Sequence, residues 1–163
     1  HLSVHSFPTR RSSDLAPQYA EIAKATEGED FIMIAGLGER MYPAACAYRC
    51  SGFVSDIPNF APSLSYEVYE AGKLGDFPRM YKALRRLDPY YALEAEFLAA
   101  RPDTSIMPDV RRGNPVYQAM GKYGMDYIGL DGREVRLPMI GLQDEEKRKL
   151  RAALDAMSVP KAG

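Results

Sequence analysis

The stretch that decides the fold is Phe31-Ile-Met-Ile-Ala-Gly-Leu-Gly-Glu39. Its first five residues carry no charge, and they predict a short buried strand over 31–35. Such an uninterrupted apolar run is typical of a strand covered on both faces, as in a parallel α/β sheet. Gly36 and Gly38 allow a sharp turn after the strand, and a helix is predicted from Met41 to Cys50. Since ligands of parallel α/β folds bind at the carboxyl ends of the strands, we expect the functional site at this turn.

The rest of the chain predicts one more strand and a series of helices. Gly52-Phe-Val-Ser-Asp56 is the second predicted strand, and a helix over 17–26 precedes the first strand, which indicates parallel βα units. Further helices are predicted from the apolar spacing at 63–72, 75–88, 89–100, 115–123 and 144–157. Ser63 is the expected cap of one of them, and Gly124 is the expected end of another. A sheet of two strands has open edges, so we expect the chain to pair with something or to be the end of a larger fold.

Composition excludes several classes of protein. With 163 residues, 46% of them hydrophobic, the chain predicts one folded domain and not a disordered segment. The formal net charge of −1 argues against nucleic acid or an anionic membrane surface as a partner. No apolar run reaches the ~20 residues of a membrane span, and the polar start contains no signal-peptide core.

The positions of the histidines and cysteines argue against several kinds of catalytic and metal site. Both histidines, His1 and His5, precede the predicted fold, which excludes Ser-His-Asp, Cys-His and His-zinc sites from the rest of the chain. Acid–base chemistry must therefore use Glu, Asp, Tyr or Lys, or come from a part of the protein that is not present here. Cys46 and Cys50 lie four residues apart with no further cysteine nearby, so we expect two reduced, packed thiols and no metal site.

The first residues do not match the rest of the chain. Residues 5–15, His-Ser-Phe-Pro-Thr-Arg-Arg-Ser-Ser-Asp-Leu, show no apolar period and resemble the conceptual translation of a short-read sequencing adapter. We therefore expect residues 1–15 to be an artefactual, non-native segment, and the natural coding sequence to extend upstream of Ala16. The alternative is a genuine polar arm that carries a basic pair.

The order of the motifs resembles the dihydrodipicolinate synthase / N-acetylneuraminate lyase family over Ala16–Ala156. The motifs that recur are Gly36-Leu-Gly-Glu39, Gly52-Phe-Val-Ser-Asp-Ile-Pro-Asn59 with Pro62, Asn114-Pro115, Gly124 and Val135-Arg-Leu-Pro138-Met. The resemblance implies an α/β chain, the C-terminal part of a (β/α)8 TIM barrel with its last two strands, followed by a C-terminal helical domain. The implied bounds are 16–74 for the last βα units and 75–163 for the helical extension.

The same resemblance implies a function. Members of the family are class I 2-keto acid aldolases and lyases, which form a Schiff base between a lysine and pyruvate or a sugar-derived keto acid. The motifs do not separate the synthase, lyase and dehydratase branches. The resemblance implies that no cofactor is needed, because the Schiff base serves as the electron sink. It also implies a cytoplasmic parent protein that is a homo-oligomer, often a tetramer, and that takes a small keto-acid substrate.

The catalytic residues of the family fall outside the matching part of the chain. Counted back from Gly36, the Schiff-base lysine would lie at about Arg11 or Ser12, inside the suspect segment. The family's catalytic tyrosine and Thr-Thr loop would lie earlier still. Lys24 follows the expected position and lies on a predicted helix, so it does not replace the missing lysine. We therefore expect this chain, as it stands, not to turn over substrate.

Four residues are the candidates for substrate binding. Gly36 and Glu39 match the family turn that meets the distal part of the substrate, and Val54 and Ser55 end the second strand. Gly38 departs from the pattern, because many relatives carry a second acid there. The alternative for Glu39 is an exposed residue favoured by the helix dipole, and for Ser55 a hydroxyl satisfied by backbone.

Two other functions are possible from the residues alone. Gly36-Leu-Gly38 could belong to a nucleotide-binding loop, although the third glycine and the later ribose-binding acid are not in place. The chain could also be a non-catalytic helical interaction module that uses the 75–100 hairpin as its binding face and shares only the fold.

Overall fold

The computed structural model describes residues 15–100, 116–137 and 139–161 of the chain. The strands are β1 Met33–Ala35 and β2 Cys50–Phe53, and a 3-10 helix Ile57–Asn59 follows β2. The α-helices within the described ranges are α1 Leu15–Ala25, α2 Gly38–Cys46, α3 Pro62–Lys73, α4 Phe77–Arg86, α5 Asp88–Ala100, α6 Tyr117–Ile128 and α7 Asp144–Ala156. The suspect segment before Leu15, the Asn114-Pro115 motif and Pro138 lie outside the described residues.

The two strands form a parallel pair, as the sequence predicts. Ile34 lies opposite Gly52, and Ala35 lies opposite Phe53. Because α2 connects the two strands, their carboxyl ends lie side by side at the same edge of the sheet. This edge is the place where the sequence predicts a functional site.

Only one face of β1 is covered by the described residues, and the prediction of two covered faces is wrong for this part of the chain. Met33 and Ala35 are buried in a small core with Ala45 of α2, whereas Ile34 between them is 55% exposed. The strand is also shorter than predicted, since Phe31 precedes it and is exposed. An apolar run of this kind is typical of a strand that is covered on both faces, but none of the described elements covers the second face of β1.

The bounds of α2 differ from the prediction at both ends. The helix begins at Gly38 instead of Met41 and ends at Cys46. It cannot continue because Arg49 adopts a left-handed backbone conformation, with φ +68°, directly before β2. Cys50 therefore opens the second strand instead of closing the helix.

The residues that begin the next helices are only partly those expected. Ala61 and not Ser63 is the cap residue of α3, and Pro62 occupies the first turn, where its fixed φ and missing N–H are tolerated. Asp76 caps α4 by accepting a hydrogen bond from the backbone N–H of Arg79 at 3.1 Å. Pro89 predicts either a kink or a restart of the helical pattern, and the structure has a restart, since α4 ends at Arg86 and α5 begins at Asp88.

The predicted end of α6 is wrong. The helix passes through Gly124 and ends at Gly129, whose φ of +97° is the left-handed conformation that commonly ends helices. Gly124 serves packing instead, because a Cβ atom at this position would lie 2.6 Å from the ring of Phe60. The glycine thus allows α6 to approach the turn that follows β2.

The start of α7 carries a capping box. Gln143 and Glu146 satisfy each other's backbone N–H groups, and three acidic residues occupy the first turn. The helix runs from Asp144 to Ala156, which confirms the predicted final helix.

The largest core joins the turn after β2 to the helical part of the chain. Its fully buried side chains include Phe60, Leu87, Tyr90, Met120 and Leu150. A second core packs α4 against α2 and α3. Several apolar side chains of 75–100 are therefore used inside the chain, whereas Phe77 and Tyr81 on α4 are 40% and 52% exposed, so the face that an interaction module would offer is only partly occupied. Among the described helices, none is both long enough and apolar enough to cross a bilayer.

Candidate functional site

The turn after β1 depends on a glycine. Gly38 has a φ of +63°, and a Cβ atom there would lie 3.3 Å from the hydroxyl oxygen of Ser55. Any other residue would be strained and would press on the neighbouring strand end. This close approach brings the turn after β1 against the residues that follow β2.

Glu39 occupies the first turn of α2 and is fully buried. Its Oε2 atom accepts hydrogen bonds from the hydroxyls of Ser55 at 2.7 Å and Tyr91 at 3.2 Å. Its Oε1 atom accepts a hydrogen bond from the hydroxyl of Ser65 at 2.5 Å. The alternative of an exposed first-turn residue is therefore wrong, because the carboxyl group is enclosed by three hydroxyl donors from different parts of the chain.

The hydroxyl group of Ser55 both donates and accepts a hydrogen bond. It donates to Glu39 and accepts a hydrogen bond from the backbone N–H of Ile57 at 3.1 Å. The preceding residue, Val54, extends the parallel pairing by donating its backbone N–H to the carbonyl of Ala35 at 2.8 Å. The hydroxyl of Ser55 thus links the end of the sheet to the turn after it.

A second acid and a second tyrosine lie beside this cluster. The hydroxyl of Tyr90 donates to the Oδ2 atom of Asp56 at 2.9 Å. Burial, together with the charge of Glu39, raises the pKa of the Asp56 carboxyl above its ordinary value of 3.8, although the Tyr90 hydrogen bond opposes this shift. On the other side, a Cβ atom at Gly121 would lie 3.1 Å from Asp56 Oδ2, so α6 also approaches this acid closely.

The pKa of Tyr90 and the pKa of Tyr91 are both raised by burial and by a neighbouring acid. Burial raises the pKa of the Tyr90 hydroxyl well above its usual range, and the charge of Asp56 raises it further. Burial and then the charge of Glu39 raise the pKa of Tyr91. Both hydroxyls therefore stay protonated and act as hydrogen-bond donors. The guanidinium of Arg40 lies over the ring of Tyr91, 4.8 Å from its centre.

The structure brings two of the four predicted site residues into direct contact and leaves the other two on the surface. Glu39 and Ser55 share a hydrogen bond, whereas Gly36 and Val54 are exposed at the ends of their strands. The sequence did not predict Ser65 and Tyr91, whose hydroxyls help to enclose the Glu39 carboxylate. No local signal pointed to them, because they lie 26 and 52 residues further along the chain.

A cavity of about 730 Å³ lies next to the strand ends, between β2 and α3. Ile34, Phe53, Val54, Tyr66 and Tyr69 contribute to its lining, and no charged residue lines it. Val54 belongs both to this cavity and to the predicted site. The cavity continues the exposed face of the sheet, and its walls suit apolar groups.

Neither metal ligands nor a reactive thiol accompany the site in the described part of the chain. No group of three or more His, Cys, Asp or Glu residues there is arranged to hold a metal ion. Cys46 and Cys50 are both free, with Cys50 buried, as expected. Burial raises the pKa of both thiols, which favours their protonated form.

No protein-family model matches this chain, but a curated synthase and a curated dehydratase resemble it. A 4-hydroxy-tetrahydrodipicolinate synthase of Archaeoglobus fulgidus is 26% identical over 153 residues, which make up 94% of this chain and 46% of that protein. A probable 5-dehydro-4-deoxyglucarate dehydratase of Variovorax paradoxus is 28% identical over 134 residues, or 80% of this chain and 39% of that protein.

Solved structures of enzymes with related names share the fold of this chain. A dihydrodipicolinate synthase of Aquifex aeolicus matches with a TM-score of 0.68 and 21% identity, over 97% of this chain and 46% of that chain. An N-acetylneuraminate lyase of Proteus mirabilis matches with a TM-score of 0.61 and 19% identity, over 88% and 43% of the two chains. These matches point to the dihydrodipicolinate synthase / N-acetylneuraminate lyase family.

The chain spans less than half the length of the curated members of this family that it matches. A mostly helical chain with a sheet of two strands is consistent with a fragment of a larger α/β enzyme of this family. The exposed face of β1 and the sheet edges, which are unpaired among the described residues, fit the same description.

Proposed function

We propose that this chain is the C-terminal part of a class I 2-keto acid aldolase or lyase of the dihydrodipicolinate synthase / N-acetylneuraminate lyase family. The observation that carries the proposal is the pair of parallel strands whose carboxyl ends meet at Gly38 and Ser55, in a chain that a curated synthase and a curated dehydratase match. In parallel α/β enzymes this edge of the sheet is the place of catalysis.

In this proposal the two strands are the last two of a (β/α)8 barrel. Residues 16–74 are its final βα units, 75–163 are a helical extension, and 1–15 are not native. Ile34 would then point into the barrel, which explains why it is apolar although it is 55% exposed here. The remaining strands of a whole barrel would cover this face and the lining of the 730 Å³ cavity.

The proposed substrate-binding site consists of Gly36, Glu39, Val54 and Ser55, of which Gly36 and Val54 form the exposed rim and Glu39 and Ser55 lie directly behind it. It would meet the distal part of pyruvate-derived or sugar-derived keto acids, while the keto end would react with a lysine elsewhere. A sugar-acid substrate is supported by the dehydratase relative, whose name states 5-dehydro-4-deoxyglucarate. No cofactor is part of the proposal, because a Schiff base withdraws electrons by itself.

We propose further that the chain is inactive by itself. Schiff-base lysines are desolvated and lie in a pocket, whereas Lys24 is exposed on α1. The whole protein would be a cytoplasmic homo-oligomer that supplies the lysine from the part preceding Ala16. Its oligomeric state, proposed as a tetramer, would be read from the whole protein by sedimentation.

Borohydride trapping tests the proposal. The coding sequence upstream of Ala16 is recovered from the source DNA, and the longer protein and the present chain are each treated with pyruvate and borohydride. We expect one labelled lysine before Ala16 in the longer protein and no labelled lysine in residues 16–163. A labelled lysine within 16–163, or a longer protein that is labelled neither with pyruvate nor, in a parallel reaction, with 5-dehydro-4-deoxyglucarate, would contradict the proposal.

A further inference from the structure

The structure assigns Glu39 the role of a positioning residue that acts through Ser55, and not that of a direct substrate ligand. The assignment rests on the proposed function, because that proposal places the substrate at this edge of the sheet. It changes what the family resemblance implies for this residue, since the resemblance places Glu39 in the turn that meets the distal part of the substrate.

The first reason is that Glu39 has no surface to offer. The residue is 0% exposed, and hydroxyls occupy both of its carboxylate oxygens at 2.5, 2.7 and 3.2 Å. A buried carboxylate is tolerated in a protein interior only when such donors compensate for its lost hydration. A substrate hydroxyl would have to displace one of these donors and leave it unsatisfied, which is costly.

The second reason is the direction of the hydrogen bonds at Ser55. A serine hydroxyl has one proton, and Ser55 donates that proton to Glu39. A lone pair of the same oxygen is thereby directed to the backbone N–H of Ile57. Glu39 therefore fixes the turn from Val54 to Ile57, and with it the exposed Val54 at the rim.

The third reason is that the donors come from the helical part of the chain. Ser65 lies on α3 and Tyr91 lies on α5, and both hydroxyls reach the same carboxylate. Arg40, from the turn next to Glu39, covers the outer face of the Tyr91 ring. Asp56 and Tyr91 both interact electrostatically with Glu39, and the carboxylate is held away from solvent.

The groups left to face a substrate are therefore those of the exposed rim. Gly36 and Val54 are exposed, and Val54 also lines the apolar cavity. Glu39 and Ser55 lie behind this rim and set its shape. The substrate would meet backbone groups and an apolar side chain at this edge, and not the buried carboxylate.

Carboxyl footprinting of the unmodified chain tests whether Glu39 is accessible. The folded chain is treated with a carbodiimide and glycine ethyl ester, and labelling at each acid is measured by peptide mass spectrometry, with the exposed Glu21 as the comparison. We expect Glu39 to be labelled at least roughly tenfold more slowly than Glu21, since access requires local opening that costs about 1.4 kcal/mol or more. Equal labelling of the two residues would overturn the assignment.

Two variants test whether Glu39 acts through Ser55. We expect Glu39→Ala to speed hydrogen exchange of the Ile57 amide and to move its NMR signal, because Ser55 is then free to rotate. Glu39→Gln keeps one acceptor oxygen and should give a smaller change. Glu67→Gln is the matched control, because Glu67 pairs with Arg86 away from Ser55.

The assignment of Glu39 and the proposed function can fail independently of each other. A folded Glu39→Ala variant with an unchanged Ile57 amide would overturn the assignment, and if this variant does not fold, the footprinting of the unmodified chain decides. Neither measurement uses a keto acid. A failure of borohydride trapping would therefore contradict the proposed function and leave the role of Glu39 to be decided by these two readouts.

Discussion

The hydroxyl of Tyr91 donates a hydrogen bond to the carboxylate of Glu39 across a separation of 52 residues in the chain. The bond joins α5, in the helical part, to the first turn of α2, directly after the first strand. Tyr90, the neighbour of Tyr91 on α5, makes the corresponding bond to Asp56 after the second strand. One helix thus holds an acid at the end of each strand.

Removing the hydroxyl of Tyr91 tests this link. We expect Tyr91→Phe to lower the free energy of unfolding by about 1 kcal/mol, because the ring is retained and a hydrogen bond to a buried carboxylate is lost. Urea denaturation followed by circular dichroism measures the change. Tyr81→Phe is the control, since Tyr81 is 52% exposed and its substitution should change stability little. Equal stability of both variants and the unmodified chain would show that the bond does not contribute.

Gly124→Ala tests the close contact between α6 and the turn after β2. The added methyl group would lie 2.6 Å from the ring of Phe60, so either the ring or the helix must move. We expect a loss of about 1–3 kcal/mol in the free energy of unfolding, the usual range for overpacking.

Gly36→Ala is the matched control for Gly124→Ala. A Cβ atom at Gly36 meets nothing within 4 Å, and the same denaturation experiment should show little change. If the two glycine variants were equally stable, the contact between α6 and Phe60 would not be as close as the structure shows.

The raised pKa of the Asp56 carboxyl predicts that the free energy of unfolding depends on pH. Burial raises the pKa of its carboxyl above 3.8, so the folded chain holds this proton more tightly than the unfolded chain. The contribution of Asp56 to stability is therefore fully present below pH 3.8 and is lost as the pH rises through the folded pKa. An asparagine side chain does not titrate, so the stability of Asp56→Asn relative to the unmodified chain should increase across this window.

The measurement is the free energy of unfolding of both proteins at a series of pH values, taken as a difference so that other carboxyl groups cancel. Asp30→Asn, at an exposed position, is the comparison. A difference curve for Asp56→Asn that stays level from acid to neutral pH would contradict the raised pKa.

The exposed face of the sheet predicts self-association. Ile34 is 55% exposed and Val54 is 65% exposed, and both line the apolar cavity beside an open strand edge. We expect the double variant Ile34→Asp/Val54→Asp to shift the chain towards the monomer, as measured by sedimentation velocity. Leu74→Asp is the control, because Leu74 is 71% exposed at the end of α3 and does not line the cavity. Identical sedimentation of both variants would mean that this face does not drive association.

The sequence by itself determined the order of the elements in the described part of the chain. The apolar run after Gly28, the glycine turn and the second strand predict a parallel pair, and Pro89 marks the restart of a helix. These signals are local, because backbone preferences and the spacing of apolar residues act over a few positions. The order of motifs was sufficient to recognise the family to which the relatives point.

Only the tertiary structure decided what the key residues contact. Glu39 has the same sequence context whether it faces solvent or is buried, and its burial depends on Ser65 and Tyr91 far along the chain. Gly124 resembles a helix end, but its role is set by the ring of Phe60, 64 positions earlier in the chain. Hydrogen bonds and close packing between distant segments leave no periodic pattern in either segment, and therefore these contacts become visible only when the chain is folded.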